Sequence, residues 1–452
     1  SLTLSYAGSG EDGTGLEPSL VVKRLESLGY VDQAVEIPLS IAPDTETDYV
    51  WRPLQSLSLL SERWGALFSG LEVNPLWWGL YNWARESETY RPRLAEVSRG
   101  IRDNNDVPVI TQDLVNGLFL SKGYMSGSVT RLERYQQCPF KFYAQYGLKL
   151  EPRRVRSFGA PEIGTFLHAN LERLGNYLLE NNKQWRDLDE EEQENLCRTV
   201  ADEILQENQL GEETSDAYQK AIEQRVQRTL HVTVDRLVEW SKRSDFDTKY
   251  LEQDFGRQGG WDPIRVPLGE DRYLRLIGQI DRIDEYTRDD QTYGMVIDYK
   301  SGGAHVTAQD VYYGLKLQLM TYLLALESAY GKTHGGSMSP AAVVYSYVKN
   351  PKIPVDAPIS YEDAVSLANE SDAWQNSGYF SDDIELLTHI DNKFLSYGSK
   401  RGPYVPIATK KDQTISSRDL RKVKSTGEFD VMCRYTNHVM AETGRHIGKG
   451  QF

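Results

Sequence analysis

Cysteine is scarce: Cys138, Cys197 and Cys433 are the three in 452 residues, far apart and odd in number. Such a set suggests no disulfide framework and points to a reducing compartment, the cytoplasm. No apolar run is long enough to span a membrane and no signal-peptide pattern is present, so no membrane partner is expected. Positive charge is in deficit: Lys plus Arg number 51 against 66 Asp plus Glu, a net charge of -15. That balance excludes passive, whole-surface attraction to nucleic acid, and any DNA contact must be local. The sequence contains no Gly-x-x-x-x-Gly-Lys-Ser/Thr, hence no phosphate-cradling loop for ATP. It also lacks a starting methionine, entering an extended stretch directly at Ser1, and a fragment of a longer chain is expected.

What is present fits a soluble globular protein of two or three domains, 39% hydrophobic and 26% charged. Leu2 to Tyr6 alternates like a strand, Ala7 to Gly15 is a Gly-rich loop, and Pro18 opens a helix through Val21, Val22 and Leu25. Strand, loop and helix in that order suggest the tail of an α/β domain. From Trp51 to Leu120, Leu54, Leu57, Leu60, Trp64, Leu67, Leu71, Trp77 and Trp78 recur at helical spacing, which makes the tryptophans core rather than a stacking platform.

The most informative stretch runs from Leu276 to Gly302. Leu276 to Asp284 and Gly294 to Gly302 are two strand-like runs around a polar break, and read as an antiparallel hairpin. With the turn centred on Asp289 and Asp290, Asp281 and Asp298 face each other, about 5 Å apart between β-carbons. Lys300 shares that face by the period of two. Like charges opposite one another destabilise a sheet, so keeping them there requires a cation. Asp-x-Lys also occurs at Asp247 and Asp391, where it reads as solvated surface; the apolar run Met295 to Ile297 sets Asp298 apart.

Helices flank this hairpin. Arg131 to Gln145 is one, with an N-cap candidate in Ser126 to Thr130 and Pro139 kinking or restarting it. In the next, Ile163, Leu167, Leu171, Leu174 and Leu178 form the buried stripe, with His168 and Glu172 one turn apart beside it. A lone histidine in that position is ordinarily structural, although imidazole is a common metal ligand. Residues 181 to about 245 are a charged helical region whose acidic run Asp187 to Glu194 is a solvated face. Pro263 to Leu268 reads as a further strand. A helix from about Ala308 to Ala329 puts Val311, Leu315, Gln318 and Tyr322 on one face, and Ala341 to Val348 is another strand. The fold class is α/β, a mixed central sheet with flanking helices.

Gly164 to His168, Gly278 to Asp284, Asp298-Tyr299-Lys300 and Gln318 to Tyr322 together resemble the RecB-like branch of the PD-(D/E)xK nucleases. Ser126 to Tyr143, with its Cys-Pro-Phe, and Leu2 to Leu25 resemble the AddB (RexB-like) subunits of bacterial ATP-dependent helicase-nucleases, weakly over 30 to 120 and 181 to 250. The resemblance implies residues 1 to 125 as a helicase-like remnant with a helical connector, and 126 to 452 as the nuclease domain with a charged insert over about 181 to 250.

It also implies a chemistry. His168, Asp281, Asp298 and the Tyr299 carbonyl would hold Mg2+ or Mn2+, Lys300 would orient a metal-activated water and stabilise phosphate charge, and Gln318 and Tyr322 would position the lysine. Single-stranded DNA would be guided by Arg131, Arg134, Arg153, Arg154 and Arg156, or by Lys410, Lys411, Arg418, Arg421, Lys422 and Lys424; each stands equally as an ordinary solvated charge. Iron-sulfur members pair a cysteine placed like Cys138 with a C-terminal cysteine triplet to hold a 4Fe-4S cluster. That triplet is missing before Phe452, and truncation ahead of it is the expectation. The implied function is a Mg2+-dependent DNA exonuclease subunit working with an AddA/RexA-type helicase on double-strand ends for recombinational repair. A non-catalytic DNA-binding scaffold and a stand-alone RecB-like or Cas4-like nuclease are the alternatives.

Overall fold

The computed structural model describes residues 4–9, 14–30, 45–102, 109–121, 123–151, 153, 160–207, 216–269, 271–348, 358–360, 363 and 374–452. They divide into two units, Ser1–Val107 and Pro108–Phe452. In the first, α1 (Leu20–Ser27) starts at Ser19, whose hydroxyl accepts from the Val22 amide. It is followed by α2 (Pro53–Phe68), α3 (Leu76–Glu86) and α4 (Arg91–Arg102). Leu57, Leu60, Trp64 and Trp77 pack into a small core as the helical spacing predicts, whereas Leu54, Leu71 and Trp78 are exposed. Leu71 and Trp78 fall out of the stripe because the chain leaves helix between Phe68 and Leu76 and the angular register is lost there, while Leu54 lies exposed in the first turn of α2. The strand expected over Leu2 to Tyr6 is not found at Leu4 to Tyr6; Leu2 and Thr3 lie outside the described residues.

The second unit opens with α5 (Gln112–Phe119), β1 (Leu120–Ser121), β2 (Tyr124–Gly127), α6 (Val129–Gln137) and α7 (Pro139–Phe142). Pro139 restarts the helix as its missing amide requires. Residues 109 to 125 belong to this unit rather than to the one before it, and Ile110 donates its amide to the Gly450 carbonyl at 3.2 Å. Three long helices follow, α8 (Ala160–Glu180), α9 (Glu190–Glu207) and α10 (Asp216–Arg243), then β3 (Asp247–Phe255), β4 (Ile264–Gly269), β5 (Arg272–Leu276), β6 (Gly278–Arg288) and β7 (Gln291–Lys300). The chain continues through α11 (Ala308–Tyr312), α12 (Gln318–His334), β8 (Ser339–Tyr347), β9 (Ser377–Ser381), α13 (Ile384–Ile390), β10 (Val423–Lys424) and α14 (Thr426–Gly448).

The main sheet has the order β10-β9-β8-β7-β6-β3, and a second sheet the order β1-β2-β5-β4. Asp289 and Asp290 both take positive φ, 50° and 63°, as a two-residue hairpin turn demands. That turn sets the β6–β7 register from Arg288↔Gln291 to Arg282↔Ile297, the one expected from the sequence. Leu276 does not belong to this hairpin: it ends β5, pairs with Ile264 and Gly127, and lies in the second sheet. The switch happens at Gly278, where an added β-carbon would sit 2.5 Å from the Phe255 ring. β3, read in the sequence as surface and insert, is the edge strand beside β6. β7 and β8 are parallel and need a crossover, supplied by α11 and α12.

That crossover is two helices, where the sequence suggested one. Gly314, at φ +70, breaks it, and a β-carbon there would meet Gln136 at 2.8 Å and Val439 at 2.9 Å. The sheet is covered on both sides. Val296, Val343 and Tyr345 pack with α12, α14 and α6, while Met295, Ile297 and Val344 pack with α8, α9 and α10. This is the mixed sheet with flanking helices expected of the sequence. No helix among the described residues is long and apolar enough to cross a membrane.

Candidate metal and catalytic site

Alternation along β7 sends Ile297 and Tyr299 toward α8–α10, and Val296 and Asp298 toward α12. The Asp298 side chain is 1% exposed; Oδ1 accepts a hydrogen bond, whereas Oδ2 accepts none and faces the Lys300 ammonium as an ion pair. Gln318, the first residue of α12, donates its Nε2 to Asp298 Oδ1 at 2.7 Å and to the Tyr322 hydroxyl at 2.9 Å. Lys300 ion-pairs with Asp298 Oδ2 and donates to Gln318 Oε1 at 3.2 Å. Asp298, Lys300, Gln318 and Tyr322 thus form one connected network, as the sequence spacing suggested. An ammonium carries three donors. Two point inward, and the lysine head, 29% exposed, keeps the third for solvent or substrate.

Asp281 is built differently. The β6–β7 ladder stops one residue short of it, at Arg282↔Ile297, and the β3 ladder jumps from Leu251↔Arg282 to Gln253↔Ile280. Its side chain replaces the missing ladder bond, with Oδ2 accepting from the Tyr299 amide at 2.6 Å. Across the gap Glu252 takes φ of 44°, a left-handed conformation that a side chain rarely adopts and that local context must hold. His168, delivered by α8, lies with Nε2 3.1 Å from the Tyr299 carbonyl and Nδ1 3.5 Å from Asp281 Oδ2 and 3.9 Å from Glu252 Oε1. The stripe that orients α8 is the expected one: Leu167, Leu171, Leu174 and Leu178 are buried.

His168, Glu252 and Asp281 offer ligand atoms within 4.8 Å of one another. Glu252 is the residue missed in the sequence; its signal was the run Thr248 to Phe255 before the glycines at 256, 259 and 260. Burial pushes the Asp281 carboxyl up, with His168 opposing and Glu252 adding to the rise. Burial and then the Asp281 charge push Asp298 up, against the pull of Lys300. For His168 burial disfavours the charged ring, but the nearby carboxylates of Glu252 and Asp281 outweigh that and raise its pKa. Three crowded carboxylates with one imidazole and one lysine leave an excess of negative charge. Those oxygen and imidazole donors, with no thiol among them, suit a hard divalent cation.

A family model described as the PD-(D/E)XK nuclease superfamily matches residues 126–393. The chain belongs to that superfamily. Within the matched stretch lie His168, Asp281, Asp298, Tyr299, Lys300, Gln318 and Tyr322, which the structure brings together. A second model, the ATP-dependent helicase/deoxyribonuclease AddB fifth domain, matches residues 42–100. Three curated relatives are each named as a subunit of an ATP-dependent helicase/deoxyribonuclease. That of Clostridioides difficile (strain 630) is 28% identical over 462 residues, covering 100% of this chain and 39% of the relative. That of Thermoanaerobacter sp. (strain X514) is 28% identical over 455 residues, with 99% and 38% covered. That of Desulforudis audaxviator (strain MP104C) is 30% identical over 452 residues, again 99% and 38%. The AddB-type resemblance is thereby borne out, and the chain spans about two fifths of the length of these relatives.

The remaining candidate residues that the structure describes have other surroundings. Arg131 lies over the Tyr146 ring at 4.6 Å and donates to the Ser126 carbonyl at 3.1 Å, and burial lowers its pKa. Arg134 donates to Gln137 at 3.1 Å on its own helix. Arg153 is exposed; Arg154 and Arg156 lie outside the described residues. Lys410, Lys411, Arg418 and Arg421 are exposed, whereas Lys422 donates to the Pro406 carbonyl at 2.8 Å and Lys424 to the Arg421 carbonyl at 2.8 Å. Cys138 caps α7, its sulfur accepting from the Lys141 amide at 3.4 Å. Cys197 and Cys433 are buried in separate cores, and among the described residues no thiol cluster is present to support the iron-sulfur expectation.

Proposed function

We propose that the chain is the nuclease part of a helicase-nuclease complex, hydrolysing phosphodiester bonds of single-stranded DNA as an exonuclease with Mg2+ or Mn2+. The carrying observation is the Lys300 ammonium held between Asp298 and Gln318 beside the His168–Glu252–Asp281 group. His168, Asp281, Glu252 and the Tyr299 carbonyl would hold the ion, with Asp298 next to them. When bound, the ion supplies Lewis acidity toward a phosphate oxygen and acidifies water.

The chain's own residues do the rest. Water attacks phosphorus, the bond to the leaving deoxyribose oxygen breaks, and the proton lost by the water balances the one taken up by the leaving oxygen. The third Lys300 donor orients that water and stabilises charge growing on the phosphate, while Gln318 and Tyr322 keep the ammonium in place. The relatives' names support work on DNA alongside an ATP-dependent helicase; a partner of the AddA/RexA type and a role at double-strand ends in recombinational repair extend that reading. Free cysteines fit a cytoplasmic setting. Asp281→Ala and Lys300→Ala should each abolish Mg2+-dependent cutting of end-labelled single-stranded DNA while DNA binding persists. Undiminished cutting by either variant refutes the reading.

A further inference from the structure

Gln318 is the hub of the Lys300 network, yet it stands at the first position of a helix entered through a break. α12 has no acidic residue in its first turn, and its N-cap, Leu317, supplies no side-chain acceptor. The amides there need partners. They find them on a distant element: Glu133 of α6 directs Oε1 at the Leu317 amide, 2.7 Å, and at the Gln318 amide, 3.1 Å. One oxygen therefore closes the helix start across about half the nuclease unit's sequence. The seating is reinforced at Gly314, packed on Gln136 of the same α6, and by the Leu315 amide, which donates to the Asp310 carbonyl at 2.8 Å.

An anion at a helix N-terminus is favourable. Burial pushes the Glu133 carboxyl up on balance, although the two amides, Lys316 and Lys300 pull the other way. The group is thus held by the site's own elements. A carboxylate serving only α6 would have no reason to be buried against another helix.

We propose that Glu133 is a positioning residue for the nuclease site. It fixes the backbone of Gln318, and through it the Gln318 bridge among Asp298, Lys300 and Tyr322. This rests on the nuclease reading above, and the main part of its effect on cleavage runs through Gln318, with the Lys300 charge a smaller contact. Reach rather than charge is what matters. Glu133→Gln keeps an oxygen at the same distance, whereas Glu133→Asp keeps the charge but withdraws the oxygen by one methylene.

The test uses the full chain and two readouts, amide hydrogen exchange at Leu317 and Gln318, and kcat and KM for single-stranded DNA in Mg2+. Glu133→Gln should stay within about twofold of the parent in both. Glu133→Asp should speed exchange at those amides and lower kcat by about tenfold with KM nearly unchanged, since small misplacements of a reacting group cost one to two orders of magnitude. Combined with Gln318→Ala, Glu133→Asp should add no further loss. The proposal is overturned by a Glu133→Asp chain with parental kcat, by Glu133→Gln being as impaired as Glu133→Asp, or by losses that multiply in the double variant. If exchange follows the expected pattern but the parent chain cuts no DNA, the clasp is upheld and the nuclease reading, with the catalytic effect resting on it, is refuted.

Discussion

Asp284→Asn should destabilise the nuclease unit by about 3–5 kcal/mol, the cost of leaving a buried charge without its partner. Arg282 and Asp284, two residues apart on β6, point to the same side of the sheet and are 3% and 2% exposed. They share two bonds, Nε to Oδ1 and Nη2 to Oδ2, each 2.7 Å. The guanidinium also lies 6.0 Å from the Trp185 ring and 5.6 Å from the Trp240 ring, in aromatic surroundings. Burial opposes its charge, and Asp284 more than restores it, leaving the Arg282 pKa above its ordinary value. Asparagine keeps one acceptor but removes the compensating charge. With an unfolding entropy of about 2.1 cal/mol/K per residue, a unit of this length shifts by about 1.4 °C per kcal/mol, so the melting temperature should fall by about 4–7 °C in a thermal unfolding scan. Arg282→Met with Asp284→Leu removes both charges and should recover most of the loss. A single variant within about 1 °C of the parent, or a double variant less stable than the single, refutes the reasoning.

Glu252→Gln should weaken Mn2+ binding by about tenfold or more in calorimetric titration, because it removes one of three converging ligands while keeping the size of the side chain. Gly314→Ala should cost about 1–3 kcal/mol and lower kcat together with it, since the substitution is strained at φ +70 and pushes the entry to α12 off Gln136; chemical denaturation reads the first and a cleavage assay the second. Glu327, half-buried on α12, is raised by burial and then by Asp430 from 4.5 to about 7. The folded chain then holds a proton that the unfolded chain releases, so this contribution to stability is present below about pH 4.5 and lost as pH rises toward 7. Glu327→Gln should therefore raise the melting temperature more at pH 8 than at pH 5, and an equal effect at both would count against the shift.

The hairpin was legible because everything it needs is local. A two-aspartate turn and strands of period two set a register that places Asp281, Asp298 and Lys300 without knowledge of any other element. The α8 stripe carried His168 to the site for the same reason. Glu252 was hidden because β3 pairs with β6 across two intervening strands, and its left-handed φ leaves no periodic trace. The break at Gly314 was invisible for the opposite reason: Val311, Leu315, Gln318 and Tyr322 are spaced as a helix would space them. What interrupts that helix is close packing against α6 and α14. The clasp by Glu133 likewise depends on tertiary contact. Among the cations, Arg131 looked free in sequence but is taken by Tyr146 and the Ser126 carbonyl.

Anomalous diffraction from crystals of the chain soaked in Mn2+ tests the central claim most directly. A peak is expected within about 2.5 Å of His168 and Asp281 ligand atoms, beside Lys300, and should be lost in Asp281→Ala. A chain that cuts DNA in Mn2+ yet shows no peak there, or shows its peak at another place, would contradict it.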